Sequence, residues 1–269
     1  MSHLHQQINK IILQTSSMST MSTVQKKVYD TKIEASVYVA NQVAALINKN
    51  NSLGKATVLG LATGSSPIEM YKELIRLHKE EGLSFKSVIT FNLDEYMPMD
   101  HSSEKSYHYF MDHNLFNHID IDKSNVNVPS GDLNESEVSA YCDNYEAQIE
   151  KAGGLDIQIL GIGRTGHVGF NEPGSSEDSI TRMVILNKVT VADAAPDFGG
   201  EENVPSKAIT MGVSTIMKAK KVYLMAWGQK KADIVNSSLT DDITDEVPAT
   251  YLQNHSDVEY VLDKGAAGE

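Results

Sequence analysis

His167 and Glu172 lie in the run of this chain best suited to acid–base chemistry, Ile159 to Ser175, which reads ILGIGRTGHVGFNEPGS. An imidazole titrates near neutral pH, and a carboxylate can hold or move a proton beside it. Gly161, Gly163 and Gly166 let the backbone turn sharply and approach a small molecule closely. The three glycines also match the GxGxxG dinucleotide signature. That signature opens directly into a helix, whereas Pro173 and Gly174 follow too soon here. The spacing points to proton transfer on a ligand held close to backbone; the alternative is a glycine-rich turn with a surface histidine.

Two further stretches have residue types suited to a ligand. Thr63-Gly64-Ser65-Ser66-Pro67 follows an apolar strand and opens a helix, where unpaired N–H groups and the helix dipole can receive an anion; a well-capped turn is the alternative. Asp94 and Glu95 end the strand Ser87 to Phe91. In extended backbone their side chains diverge, so at most one faces a ligand. Lys231, between a strand and a helix, could reach a phosphate or remain a solvated charge. His101, His108, His113 and His118 lack a metal-ligand spacing, and no metal is expected.

The elements that must position these residues follow from periodicity. Helices are expected from Thr31, with Ile33, Val37, Ala40, Ala44 and Ile47 facing inward; from Ser66, as N-cap, to Gly82; and over Asn134 to Ala152. Shorter helices are expected over Gly212 to Ala219, after Gly228, and over Pro248 to His255. Strands are expected over Ala56 to Leu61, Ser87 to Phe91, Asp156 to Leu160, Arg182 to Leu186, Lys221 to Trp227 and Val258 to Asp263. Val191 to Val204 loses its periodicity and reads as a mobile loop, a candidate lid. About six strands alternating with helices imply an α/β fold: a doubly wound, mostly parallel, Rossmann-like sheet with helices on both faces and ligands at the strand carboxyl ends.

Length and charge narrow the function classes. The 269 residues suffice for one domain, expected over residues 28–269 after a flexible polar extension, residues 1–27, within which Met18 and Met21 are alternative starts. A formal charge of −13 disfavours nucleic acid as a partner, because phosphate-backbone binding needs a basic face. No apolar run approaches the ~18 residues of a membrane span. Cys142 is the single cysteine, so an internal disulfide is ruled out and a cytoplasmic protein is expected.

Taken together, LATGSSP, FNLDEY, LGIGRTGHVGFNEPGS, VPSKAITMGVSTI and GQKKA resemble, in order and spacing, the glucosamine-6-phosphate deaminase family over roughly Lys27 to Asp263. The resemblance implies conversion of glucosamine 6-phosphate and water to fructose 6-phosphate and ammonium, a step of amino-sugar (N-acetylglucosamine) catabolism that needs no cofactor. It implies His167 as the ring-opening residue, Glu172 as its carboxylate companion and Asp94 as the base at carbon 2. Thr63, Gly64, Ser65, Ser66 and Lys231 would take the phosphate. Arg182 falls in a segment resembling one that helps bind an activator in some hexameric members.

Two departures from the family pattern stand out. Thr165 replaces the Asp or Asn that many members carry two residues before the histidine, and a hydroxyl bears no charge near neutral pH. Val191 to Phe198 contains none of the phosphate-binding arginine many members place there. Both features resemble a bacterial subgroup whose chains can continue into a deacetylase-like domain, so the end at Glu269 fits a boundary in a longer protein. The family includes monomers and hexamers, which leaves a homo-oligomer open. Alternatives are a related sugar-phosphate isomerase, a 6-phosphogluconolactonase, or a catalytically impaired sugar-phosphate sensor.

Overall fold

The computed structural model describes residues 24–269, and the expectations for the extension before them lie outside the described residues. Gln25 to Lys27, expected before the domain, instead begin the edge strand β1 (Gln25–Tyr29). The remaining strands are β2 (Thr57–Leu61), β3 (Val88–Asn92), β4 (Asp94–Met97), β5 (Val126–Asn127), β6 (Ile157–Leu160), β7 (Arg182–Ile185), β8 (Lys207–Thr210), β9 (Lys221–Ala226) and β10 (Val258–Asp263). Seven of these form one sheet in the order β1-β10-β9-β6-β2-β3-β5, with every neighbouring pair parallel. This is the expected α/β architecture.

Helices α1 (Lys32–Ser52), α2 (Ile68–Glu81), α3 (Tyr107–Asn114) and α4 (Glu135–Lys151) precede the centre of the glycine-rich run; α5 (Lys188–Phe198), α6 (Val213–Met217), α7 (Ala232–Thr240) and α8 (Lys264–Ala267) follow it. The inner strand β2 is buried at all five positions, as a sheet covered on both faces requires. A Thr31–Glu34 capping box starts α1, and of the expected inward face Ala40, Ala44 and Ile47 are buried, together with Ala35, Val39 and Val43, while Ile33 is exposed. Among the described residues, no helix is long and apolar enough to cross a membrane.

A second sheet was not foreseen. β4, β8 and β7 pair antiparallel, and their register aligns Asp94 with Thr210 and Thr210 with Arg182. Four-residue strands leave little periodicity to read, which is why β4 and β8 were missed and β7 was assigned to the parallel sheet. The stretch Val191 to Val204 is another correction: up to Phe198 it folds within α5, with Asn187 capping the N–H groups of Val189 and Thr190 and Gly199 closing the helix in the left-handed region at φ 72°. Pro196 within that helix broke the sequence pattern.

Candidate active site

The sheet order reverses between β2 and β6. The chain moves outward from β2 through β3 to β5, then returns to place β6 on the other side of β2. The loops leaving β2 and β6 therefore part around a crevice at the strand carboxyl ends, the usual ligand position in such sheets. A cavity of about 220 Å³ lies there. Its walls are Ala62 to Ser66 after β2, Leu93 and Asp94 after β3, and Gly161 to Gly163, His167, Gly169 and Phe170 after β6; Tyr107 of α3 closes one side. Past Gly64, Ser65 and Tyr107 it adjoins a space of about 570 Å³ walled by Pro196, Asp197 and Phe198 of α5.

The Thr63–Ser66 turn is fixed from both ends. Tyr71, fully buried on α2, donates its hydroxyl to the Ala62 carbonyl, and the Trp227 indole N–H donates to the Ser66 carbonyl at 3.0 Å. Ser66 does not cap α2: Pro67 occupies the cap position, and no side chain bonds the first-turn N–H groups. The leading N–H groups of this 14-residue helix therefore remain open to an anion beside Gly64.

The His167 loop closes on itself. Gly163 donates its N–H to the His167 carbonyl and Gly166 donates to the Gly163 carbonyl, both at 2.9 Å. The imidazole lies against Gly163, where a Cβ would come within 1.9 Å of its Cε1 atom, so only glycine fits. Nδ1 of the ring is 3.1 Å from the Thr165 hydroxyl. Further along, Gly169 takes φ 57°, and a Cβ there would sit 3.3 Å from an Asp94 carboxyl oxygen. This close approach joins the histidine loop to the second sheet. Thr210, opposite Asp94, accepts the Phe170 N–H at 3.1 Å, and buried Asn171 donates to the Val168 and Met211 carbonyls at 2.9 Å.

Asp94 and Glu95 diverge, as adjacent residues in a strand must. Asp94 lines the cavity; Glu95 instead accepts N–H groups from Tyr96, Tyr107 and His108 at 2.9, 2.8 and 3.2 Å, holding the start of α3. Burial, aided by Glu95, pushes the Asp94 carboxyl up to about 8. Burial also raises Glu95 to about 7 against its three N–H donors. His167 moves the other way, to about 4, because burial and the charge of Lys231 disfavour the imidazolium while Asp193 opposes them. Near neutral pH these shifts favour a neutral imidazole and a protonated carboxylic acid in the same cavity.

Glu172 departs from expectation. Its carboxylate accepts the Asn187 N–H at 2.6 Å and the Thr190 hydroxyl, so it anchors the first turn of α5 while the imidazole bonds to Thr165. Glu172 lines a separate cavity of about 260 Å³ together with Arg182. Arg182 donates to Asn171 Oδ1 at 2.9 Å and to the Ser175 hydroxyl at 3.3 Å. Lys231 lies behind the histidine loop, its ammonium donating to the Ile162 carbonyl at 2.6 Å; burial lowers its proton affinity. Among the described residues, no group of three or more His, Cys, Asp or Glu side chains could hold a metal ion.

Reasoning from sequence missed Tyr107, Thr210 and Asn171. Tyr107 stands in the FNLDEY-to-helix region without a motif of its own, and its partners Thr63 and Tyr96 come from two other segments. Only the short β8 pairing places Thr210 beside Asp94.

The structure defines an open parallel α/β protein whose switch-point loops gather an anion-ready turn, an imidazole and a carboxyl group. Residues 30–261 match the family of glucosamine-6-phosphate isomerases and 6-phosphogluconolactonases. A glucosamine-6-phosphate deaminase of Clostridium botulinum (strain Langeland) is 46% identical over 231 residues, 86% of this chain and 94% of that one. A Thermoanaerobacter relative of the same name is 48% identical over 229 residues, 85% and 90% of the two chains. A glucosamine-6-phosphate deaminase-like protein of Bacteroides thetaiotaomicron is 42% identical over 94% of this chain, but the match spans only 38% of that longer protein. Among solved structures, a monomeric glucosamine-6-phosphate deaminase superposes with a TM-score of 0.86 at 40% identity, covering 91% of this chain and 99% of that one. The 6-phosphogluconolactonase of Trypanosoma brucei shares the fold, with a TM-score of 0.72 at 22% identity over 91% and 97%. The chain belongs to the glucosamine-6-phosphate isomerase/6-phosphogluconolactonase family.

Proposed function

We propose that this chain is a glucosamine-6-phosphate deaminase, with Asp94 and His167 dividing the proton transfers between them. One observation supports this most strongly: Asp94, His167 and the Thr63–Ser66 turn line a single cavity although they come from three separate segments. The turn receives the phosphate through Gly64, Ser65, Ser66 and the start of α2, with Lys231 contributing positive charge from behind. The neutral His167 imidazole carries a proton from the anomeric hydroxyl to the ring oxygen, opening the sugar.

In the open chain, the Asp94 carboxylate takes the proton from carbon 2 and returns one to carbon 1. Water then adds to the resulting imine and ammonia leaves, giving the ketose. Every atom is accounted for by substrate and water, so the reaction calls for no redox cofactor. Arrival of a substrate ammonium beside Asp94 favours the carboxylate, converting the protonated resting acid into the required base. Glu172 acts indirectly, by seating α5 against the site.

The same reading places the protein in the cytoplasm and in the subgroup with Thr165 before the histidine. It also allows a second, deacetylase-like unit in a longer chain and self-association. Incubation with glucosamine 6-phosphate should release ammonium and fructose 6-phosphate in equal amounts. A folded sample that yields neither, or that hydrolyses 6-phosphogluconolactone instead, would overturn the assignment.

A further inference from the structure

Ring opening gives His167 a transient positive charge in a buried position, yet its hydrogen-bond partner is the uncharged Thr165 hydroxyl. Glu172 is committed to Asn187 and Thr190. Those two residues are three apart, so they share a face of α5, and Asp193 comes next on it. Arg164, immediately before Thr165, grips the Asp193 carboxylate with two bonds, Nη2 to Oδ1 at 2.8 Å and Nε to Oδ2 at 3.2 Å. Asn187, Thr190 and Asp193 thus bind the run containing His167 at two points, and Asp193 is the carboxylate among them. Its charge favours the protonated form of both His167 and Lys231, whereas burial and the charge of Lys231 disfavour it on His167.

We propose that Asp193 is a positioning residue that supplies, from α5, the negative charge missing at Thr165, so that His167 can carry a proton during ring opening while Arg164 holds the carboxylate in place. This rests on the proposed role of His167. An ion pair as exposed as Arg164–Asp193 adds little to folding stability, so a large loss of turnover on its removal would have an electrostatic origin. The arrangement also accounts for a histidine loop that functions with threonine where a charged neighbour is common: the charge arrives from another element.

The test uses the full chain with Asp193→Asn, Asp193→Glu and the double variant Asp193→Asn with Thr165→Asp. Asp193→Asn should lower kcat on glucosamine 6-phosphate about tenfold, and should move the His167 midpoint, followed by NMR of ring-labelled histidine, further down. Asp193→Glu and the Thr165→Asp double variant should each recover most of that loss. Arg164→Gln, which leaves the carboxylate in place but unanchored, should lower kcat by less, guarding against misfolding of the first variant. An unmoved His167 midpoint in Asp193→Asn overturns the inference whatever the activity does. So does a moved midpoint with unchanged kcat, or a loss that neither carboxylate restores. A parent chain without deaminase activity defeats the proposed function alone, because the titration still reads the pairing.

Discussion

The two sheets contribute to one site in different ways. The seven-stranded sheet presents loops: its inner strands β2 and β6 are buried along their length, and the turns after them are free to shape a cavity. The three-stranded sheet presents side chains in register, Asp94 beside Thr210 beside Arg182, each aimed by strand pairing. One supplies backbone donors and a histidine fixed by a tight turn; the other supplies a carboxyl group held dry. Loop geometry sets ligand approach, while strand register sets which acid faces it.

The largest effect that would break this contrast comes from the loop side. Gly163→Ala places a Cβ within 1.9 Å of the imidazole, so turnover should fall about a hundredfold, the scale of a lost general acid–base. The seven-stranded sheet should stay intact, as circular dichroism and thermal midpoint would show. Near-normal turnover would mean that the His167 position is not set by that turn.

The next effect sharpens the strand side. If the buried Asp94 is the base, kcat/KM should rise with pH through about 8, the position to which burial pushes its carboxyl. Between pH 7 and pH 9 the gain should be about tenfold. A profile flat over that range would remove Asp94 from the base role. His167, lowered to about 4, is neutral throughout this window and adds no limb to it.

A smaller effect concerns stability. The folded-state value of Asp94 lies above its ordinary one, so its contribution is full below 3.8 and is lost as pH rises through about 8. Asp94→Asn removes that loss. Its thermal midpoint should therefore exceed that of the parent by a margin that widens from pH 5 to pH 8, reaching several degrees. A constant margin would mean that the carboxyl is not held in a dry environment.

Much of this was legible in the sequence, for physical reasons. Long parallel strands bury both faces, so apolar runs such as Thr57–Leu61 and Val258–Asp263 show themselves, and the glycines around His167 mark a turn no other residue tolerates. The pairing of Asp94 with Thr210 did not show, because β4 and β8 are four residues long and their pairing is set by contacts remote in sequence. The bonds of Glu172 did not show for a related reason: its partners Asn187 and Thr190 lie 15 and 18 residues further along the chain, and the fold turns its carboxylate toward α5. Pro196 concealed that helix altogether.

Exchange of the carbon-2 proton tests the division of labour most directly. Parent and Asp94→Asn proteins would be incubated with glucosamine 6-phosphate in deuterated water and followed by NMR. The account predicts deuterium entering from solvent with the parent and no exchange with Asp94→Asn, which still binds the sugar phosphate with similar affinity. Exchange retained by Asp94→Asn would contradict it.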